Sequence, residues 1–292
     1  MRDEPAWLRE RRSAALAGLS EEARREPAAA LDEETGRLLP VAPEFREQGI
    51  EVLPLLEAAK RADAPNWWPA AGEDALSRTV EAFWTGGYFA RVPRGVEAEL
   101  PLQVSAGLKS FGRVEKSVVL VEDGGSLELV EGCTELGGGA GGRWSVVDVV
   151  LGERASLKAA SVQAWPAGVH SRSLKRVRAG RGARLTWTDA NLWATRVEKT
   201  IAADLREGAR ADIACGGYAG PGQSQELTVS VSPPGGAAVR ILAAGEVRGS
   251  GGVLDRWPGG PASSLNVFFE PLARRLPLEF SVEFTRLLEA VL

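Results

Sequence analysis

Gly124-Gly125-Ser126-Leu127, Arg154-Ala155-Ser156-Leu157 and Gly182-Ala183-Arg184-Leu185 are versions of one four-residue unit. It consists of a turn residue, a small residue, a variable residue and an apolar or small residue that opens a strand. The unit also occurs as Gly95-Val96-Glu97-Ala98, Gly208-Ala209-Arg210-Ala211 and Gly236-Ala237-Ala238-Val239. Its second position falls at 96, 125, 155, 183, 209 and 237, at intervals of 29, 30, 28, 26 and 28. A drifting period of this size suits a solenoid, in which each coil packs only on its neighbours and loops absorb extra residues.

Between the turns lie short β-branched and apolar runs at 118–121, 127–130, 146–151, 157–162, 211–214, 227–231 and 239–242. These read as strands. No helical crossover separates them, which argues against a doubly wound sheet. One coil per repeat gives a parallel β-helix, with strands about 4.8 Å apart along its axis and alternate side chains filling the interior. A β-sandwich, also built from many short strands, is the rival architecture.

The flanks differ. Residues 1–87 read as an N-terminal helical region, 88–248 as the β-helix core, and 249–292 as a linker followed by C-terminal helices. Trp7, Leu8, Ala14, Ala15 and Leu16 fall at helical spacing, and Ser20 is placed to cap the segment that follows. Helices are expected over Leu55–Ala62 and Asp74–Trp84, the latter ending at Gly86-Gly87, with a loop over Asp63–Pro69. After the Gly-rich stretch 249–261, Leu265 to Leu292 reads as one or two amphipathic helices, Pro277 starting the second.

The 292 residues are 44% hydrophobic and 25% charged, with a formal net charge of −4. No concentrated positive charge exists to gather phosphates, so nucleic acid is not an expected partner. No stretch approaches the roughly 20 apolar residues of a membrane span, and no signal peptide is visible at Met1-Arg2-Asp3-Glu4-Pro5. Cys133 and Cys215 are the two cysteines, too few for a disulfide framework, and a reducing cytoplasm is the expected location. The single histidine, His170, excludes a multi-His zinc site within one chain. Two cysteines cannot supply the four thiolates of a typical iron–sulfur cluster.

Several segments resemble the SufB/SufD family of the SUF iron–sulfur cluster assembly system. Gly87-Tyr88-Phe89-Ala90-Arg91-Val92-Pro93-Arg94-Gly95-Val96 looks like the opening of that family's first coil. Val130-Glu131-Gly132-Cys133-Thr134 resembles its Glu-Gly-Cys segment, Ser161-Val162-Gln163-Ala164-Trp165 a strand of the core, and Leu174-Lys175-Arg176 the piece after it. Phe269-Glu270-Pro271 and Leu276-Pro277-Leu278-Glu279-Phe280 resemble the closing helices. The family pattern has arginine and asparagine near Ser105 and Gly107, and a longer stretch before the closing helices, which is replaced here by the loop around 249–261.

The resemblance implies a right-handed parallel β-helix between helical ends. It implies a scaffold, not an enzyme, that pairs with a SufB/SufD-type paralogue or with itself as a dimer and is driven by a SufC-like ATPase. The docking residues would be Phe268, Phe269, Leu272, Leu278, Phe280 and Phe284. Sulfur would come from a cysteine desulfurase. No cofactor is expected to be bound permanently, and a transient iron–sulfur cluster would be shared with a partner chain.

Cys133 is the candidate sulfur acceptor, because a thiolate accepts sulfur and a nearby cation favours that form. Gln163, Trp165 and Lys175 follow at one to one and a half repeat intervals, a spacing that stacks them near Cys133 on successive coils. Lys175 would stabilise the anion, and Gln163 and Trp165 would line its path. The competing reading makes Cys133 a buried small hydrophobe, with Trp165 and Gln163 as core and turn residues. Cys215 reads as structural, and His170 as a residue of the loop after Trp165. Gly137, Gly139 and Gly142 match G-x-G-x-x-G, but a dinucleotide site needs a helix afterwards, and a strand is expected there. Two further functions stay open: a polysaccharide-active enzyme on a β-helix, and an inert structural paralogue in the same complex.

Overall fold

The computed structural model describes residues 4–21, 23–24, 42–70, 72–108, 112–135, 141–165, 168–192, 194–219, 223–232, 238–247 and 263–269. At 105–108, 133–135, 218–219, 238–247 and 263–269 the description is of the backbone alone.

Stacked turns set the architecture. Gly95, Gly124, Gly182 and Gly208 have φ of 70°, 68°, 68° and 69°, and Arg154 occupies the same place with φ 56°. This left-handed conformation costs a side-chain-bearing residue but not glycine. The following residue turns into the core: Ala155, Ala183 and Ala209 are fully buried. Successive turns are bonded to one another, Gly124 N–H to the Glu153 carbonyl at 2.8 Å, Arg154 N–H to Arg181 at 2.9 Å, and Gly182 N–H to Glu207 at 3.0 Å. The repeat unit in the sequence is therefore this stacked turn.

Each turn joins a strand of one sheet to a strand of a second. The larger sheet runs, in spatial order, β1 (Glu51–Pro54), β2 (Tyr88–Val92), β4 (Gly112–Val121), β6 (Gly141–Leu151), β8 (Val169–Ala179), β10 (Arg196–Leu205), β12 (Ser224–Ser232) and β14 (Ser263–Phe269). The smaller sheet runs β13 (Ala238–Val247), β11 (Arg210–Ala219), β9 (Arg184–Leu192), β7 (Ser156–Ala164), β5 (Ser126–Glu135) and β3 (Leu102–Leu108). Within the smaller sheet, and from β2 to β12 of the larger, every ladder is parallel. Only β1 against β2 and β14 against β12 are antiparallel. The chain is a parallel β-helix, and the β-sandwich is excluded.

Period-2 alternation divides each strand between the interior and an outer face. On β8, Val169, Ser171, Ser173, Lys175, Val177 and Ala179 are buried, while His170, Arg172 and Arg178 are exposed. His170 thus lies on a strand and not in the expected loop, because the connection after Trp165 is shorter than its composition suggests. Near the stacked turns the interior is apolar, with Val119, Val149, Leu157, Leu185, Trp187, Ile201 and Ile213 among its members.

The N-terminal region packs on the outer face of the larger sheet. Its helices are α1 (Ala6–Ala17), α2 (Pro43–Glu47), α3 (Leu55–Ala59), α4 (Ala64–Trp67) and α5 (Ala75–Phe83). Asp74 caps α5 by accepting from the Ser77 N–H at 2.8 Å, and Ser20 Oγ accepts from the Ala23 N–H at 3.3 Å. The segment expected as a loop over 63–69 contains the single turn α4, since Pro65 is tolerated in a first helical turn. Leu8, Leu55, Trp68, Val80 and Trp84 meet Val114, Val118, Trp144, Val146 and Leu174 of the sheet. Burial of each large side chain contributes about 1.5–3 kcal/mol. At the junction, Gly87 has φ 124°, and a Cβ there would lie 1.6 Å from the Lys116 carbonyl oxygen.

At the other end, helix was expected from Leu265 onward, but Ser263–Phe269 is strand β14. Its ladder runs from Ser263 opposite Val231 to Phe269 opposite Gln225. The open edge of β12 supplies hydrogen-bond partners that outweigh a weak helical pattern. Phe268 and Phe269 belong to this strand, and Leu272, Leu278, Phe280 and Phe284 lie outside the described residues.

Candidate functional site: a charged hollow in the β-helix

Away from the stacked turns, the interior changes character. In the smaller sheet, Glu131, Ser161, Asp189 and Cys215 are register neighbours on successive coils. One step further along the strands, Cys133 pairs with Gln163, and Gln163 with Asn191. The facing columns of the larger sheet hold Glu115, Ser145, Ser173 and Lys199, then Arg113, Arg143 and Ser171. Lys175 stands beside Ile201 at the edge of the apolar half.

Two buried ion pairs cross this space. Lys175 bonds to Glu131 Oε2, and the Tyr88 hydroxyl donates to Glu131 Oε1 at 2.8 Å. The Lys175 ammonium also lies 5.6 Å from the Trp187 ring centroid. Lys199 reaches Asp189 Oδ1 at 2.5 Å and Asn191 Oδ1 at 3.0 Å. The Asn191 amide donates to Asp189 Oδ1 at 2.9 Å, and Gln225 donates to the Asn191 carbonyl at 3.2 Å. At the first coil, Glu115 is shared by Arg113 at 2.9 Å and Arg143 at 2.9 Å.

Burial alone would push the Glu131 carboxyl up. Lys175, its hydrogen bond, Tyr88 and Arg143 together outweigh that and hold it below the ordinary range. Glu115 is likewise lowered, burial being overcome by Arg143 and Arg113. Burial lowers Lys199, against the pull of Asp189 and with the help of nearby Lys175. Burial and Asp189 push the Cys215 thiol far above its usual value, against Lys199, so it stays protonated. Its structural reading fits that state.

Gln163, Trp165 and Lys175 are buried in or at the edge of this hollow. Cys133 lies within β5 and pairs in register with Gln163. Trp165 is buried at the end of the following coil, and its indole N–H donates to Gln163 Oε1 at 3.4 Å. The Arg143 guanidinium stands 4.8 Å from the Trp165 ring centroid. Lys175 is engaged by Glu131, two residues before Cys133 on the same strand. Sequence reading missed Glu131, Tyr88, Arg143, Asp189 and Lys199. Among the described residues, no group of three or more His, Cys, Asp or Glu side chains could hold a metal ion.

Residues 104–235, which span most of this hollow, match the family described as SUF system FeS cluster assembly, SufBD core domain. Over this stretch, just under half of its length, the chain is similar to the SufB/SufD family. It is 32% identical over 149 residues to the iron–sulfur cluster assembly protein SufB of Bacillus subtilis, covering 50% of this chain and 32% of that protein. SufBD family proteins of Staphylococcus saprophyticus and Staphylococcus epidermidis are each 28% identical over 160 residues, 53% of this chain and 34% of theirs. The match to these curated relatives therefore spans about a third of their length. Among the described residues, no helix is long and apolar enough to cross a membrane.

Proposed function

We propose that this chain is a scaffold subunit of a SUF-type iron–sulfur cluster assembly complex, with Cys133 as its sulfur acceptor. The carrying observation is the ladder that sets Cys133 opposite Gln163, with the Glu131–Lys175 pair two residues away on β5. In the proposed step, the Cys133 thiolate attacks the outer sulfur of a donor persulfide. A Cys133 S–S bond forms, the donor S–S bond breaks, and the donor leaves as a thiolate, with no net oxidation. Lys175 supplies positive charge for the anionic sulfur, and Gln163 and Trp165 line its path.

A transient cluster shared with a paralogue or a second copy would be the cargo, and a SufC-like ATPase would drive the complex. The docking segment would lie in the C-terminal residues that include Leu272, Leu278, Phe280 and Phe284. Cys133→Ser is expected to abolish labelled-sulfur transfer from a cysteine desulfurase, and unchanged transfer removes Cys133 from the mechanism. Deletion of 270–292, which spares β14, is expected to abolish co-purification with a SufC-like ATPase.

A further inference from the structure

Exposed arginines crowd one edge of the β-helix, where the turns stack. Arg184 opens β9 and Arg210 opens β11, and the two are direct register partners. Leu185, Trp187, Ala211 and Ile213 are buried in the core, so period-2 alternation turns both arginines outward. Neighbouring strands put such partners about 4.8 Å apart. Arg154, also exposed, stands in the turn before β7, and its Cγ lies 3.4 Å from where a Cβ on Gly182 would be. Its side chain therefore leans along the stacked turns toward the coil that carries Arg184.

Each placement is unfavourable by itself. Like charges side by side on a sheet repel, and nothing in their column relieves this pair: it continues with Ser156 and Ser126 on one side and Ala238 on the other. Arg154 holds φ 56° where glycine serves at Gly124, Gly182 and Gly208. Among the described residues, Arg154, Arg184 and Arg210 form no ion pair, whereas Arg181 in the same stack is paired with Glu153 at 3.0 Å. Glu207 and Asp212, the carboxylates nearest Arg210 in sequence, bridge to none of the three. A backbone outlier kept beside an uncompensated charge pair points to a use outside the chain.

Spacing and charge decide the partner. Side chains four residues apart on an α-helix have Cβ atoms about 5–6 Å apart, close to the spacing of the arginine column. Same-side residues of an extended strand lie about 6.4–6.8 Å apart, a poorer match. Guanidinium forks take carboxylates in bidentate geometry. A nucleic-acid backbone presents a long run of charge, and this chain has a formal net charge of −4, so the surface beyond the arginines repels an extended polyanion.

We propose that the stacked-turn edge formed by Arg154, Arg184 and Arg210 docks an acidic helix of a partner protein, one that presents aspartate or glutamate at i and i+4. The partner's carboxylates supply the counter-charge that the arginine column lacks. This contact requires neither Cys133 nor sulfur transfer, so it stands or falls separately from the relay.

The probe is a capped, alanine-based helical peptide with glutamate at successive i, i+4 positions; a control of equal composition spreads the glutamates around the helix. Each is titrated into the full isotope-labelled chain at low salt, and the arginine Nε–Hε signals are followed by NMR. The Arg154, Arg184 and Arg210 signals are expected to shift together and saturably with the one-faced peptide, and the shifts to shrink as salt is added. Arg184→Gln/Arg210→Gln, its fold checked by thermal midpoint, is expected to weaken the peptide about tenfold, read at the Arg154 signal. Arg178→Gln, on the face of the larger sheet, is expected to leave binding unchanged. No shift in the parent, equal affinity for the two peptides, or undiminished binding by the folded double variant would overturn the proposal. So would tighter binding of an oligothymidylate of matched charge, which would make the edge a phosphate surface instead.

Discussion

Glu131 on β5 and Lys175 on β8 form an ion pair across the interior of the β-helix, and Tyr88 on β2 holds the second Glu131 oxygen at 2.8 Å. One carboxylate thus ties three strands of two sheets together beside the strand position of Cys133. Glu131→Gln leaves the Lys175 ammonium buried without its counter-charge, and a loss of about 3–5 kcal/mol is expected by urea denaturation. Glu131→Gln/Lys175→Met is expected to recover part of that loss. The sign of the pH dependence follows from the lowered Glu131 value. The folded state binds this proton less tightly than the unfolded chain, whose carboxyl titrates near about 4.3. The pair's contribution is therefore complete above that pH and disappears as pH falls through the folded value. Acid titration of Glu131→Gln should show a shallower loss of stability than the parent.

A second buried charge fixes the N-terminal region to the β-helix. Lys116 lies on the outer face of β4, 2% exposed, with Glu81 of α5 at 2.9 Å and Asp148 of β6 at 3.1 Å. Glu81 also receives Arg11 at 2.9 Å, and Arg176 bridges Asp148 at 2.6 Å to the Ala70 carbonyl at 3.1 Å. Lys116 reaches a carboxylate of each part, so Lys116→Met removes the link between them and leaves Glu81 with Arg11 and the Trp68 indole alone among the described residues. Amide exchange across 75–83 is expected to accelerate while the β6 and β8 ladders stay protected. Uniform acceleration across both regions would mean that the two unfold as one unit.

Arg154 occupies a turn position that glycine fills on the coils before and after it, with φ 56° against 68° at Gly124 and Gly182. An L side chain there costs roughly 1–2 kcal/mol. Arg154→Gly is expected to gain up to about 1 kcal/mol, the relief of strain offset by a freer unfolded chain. Gly182→Ala should lose about 1–2 kcal/mol in the same denaturation assay. Opposite signs of these two changes would support the stacked turn, and not Arg154's side-chain contacts, as the source of the effect.

The repeat was legible because every turn must solve the same steric problem, so Gly and a small residue recur at fixed spacing. The hollow was legible only in part. Six residues after the buried turn residue at 125, 155, 183 and 209 stand Glu131, Ser161, Asp189 and Cys215, while two residues after it stand Leu127, Leu157, Leu185 and Ala211. That switch from apolar to polar at one repeat offset was present in the sequence. It was obscured because the period drifts by up to four residues between coils. Lys175 and Lys199 pair across sheets with residues 44 and 10 positions away, and no local pattern encodes such pairs. The strand β14 was misread because its ladder partner, β12, lies more than thirty residues earlier, and the apolar spacing of 265–269 alone does not separate strand from helix.

Cys215 separates burial from reactivity. It is fully buried on β11, beside Asp189 in register, and its thiol is pushed far above the ordinary range. Attack on an alkylating reagent requires the thiolate, and both the low thiolate fraction and the surrounding sheets oppose it. Iodoacetamide at mildly alkaline pH is expected to leave Cys215 unmodified in the folded chain and to modify it fully in denaturant, as read by mass spectrometry of the peptide covering 210–219. Labelling at a rate near that of a free thiol would mean that β11 opens on the timescale of the reaction. The Asp189–Lys199 pair beneath it would then be open to water as well, since all three groups share neighbouring strands.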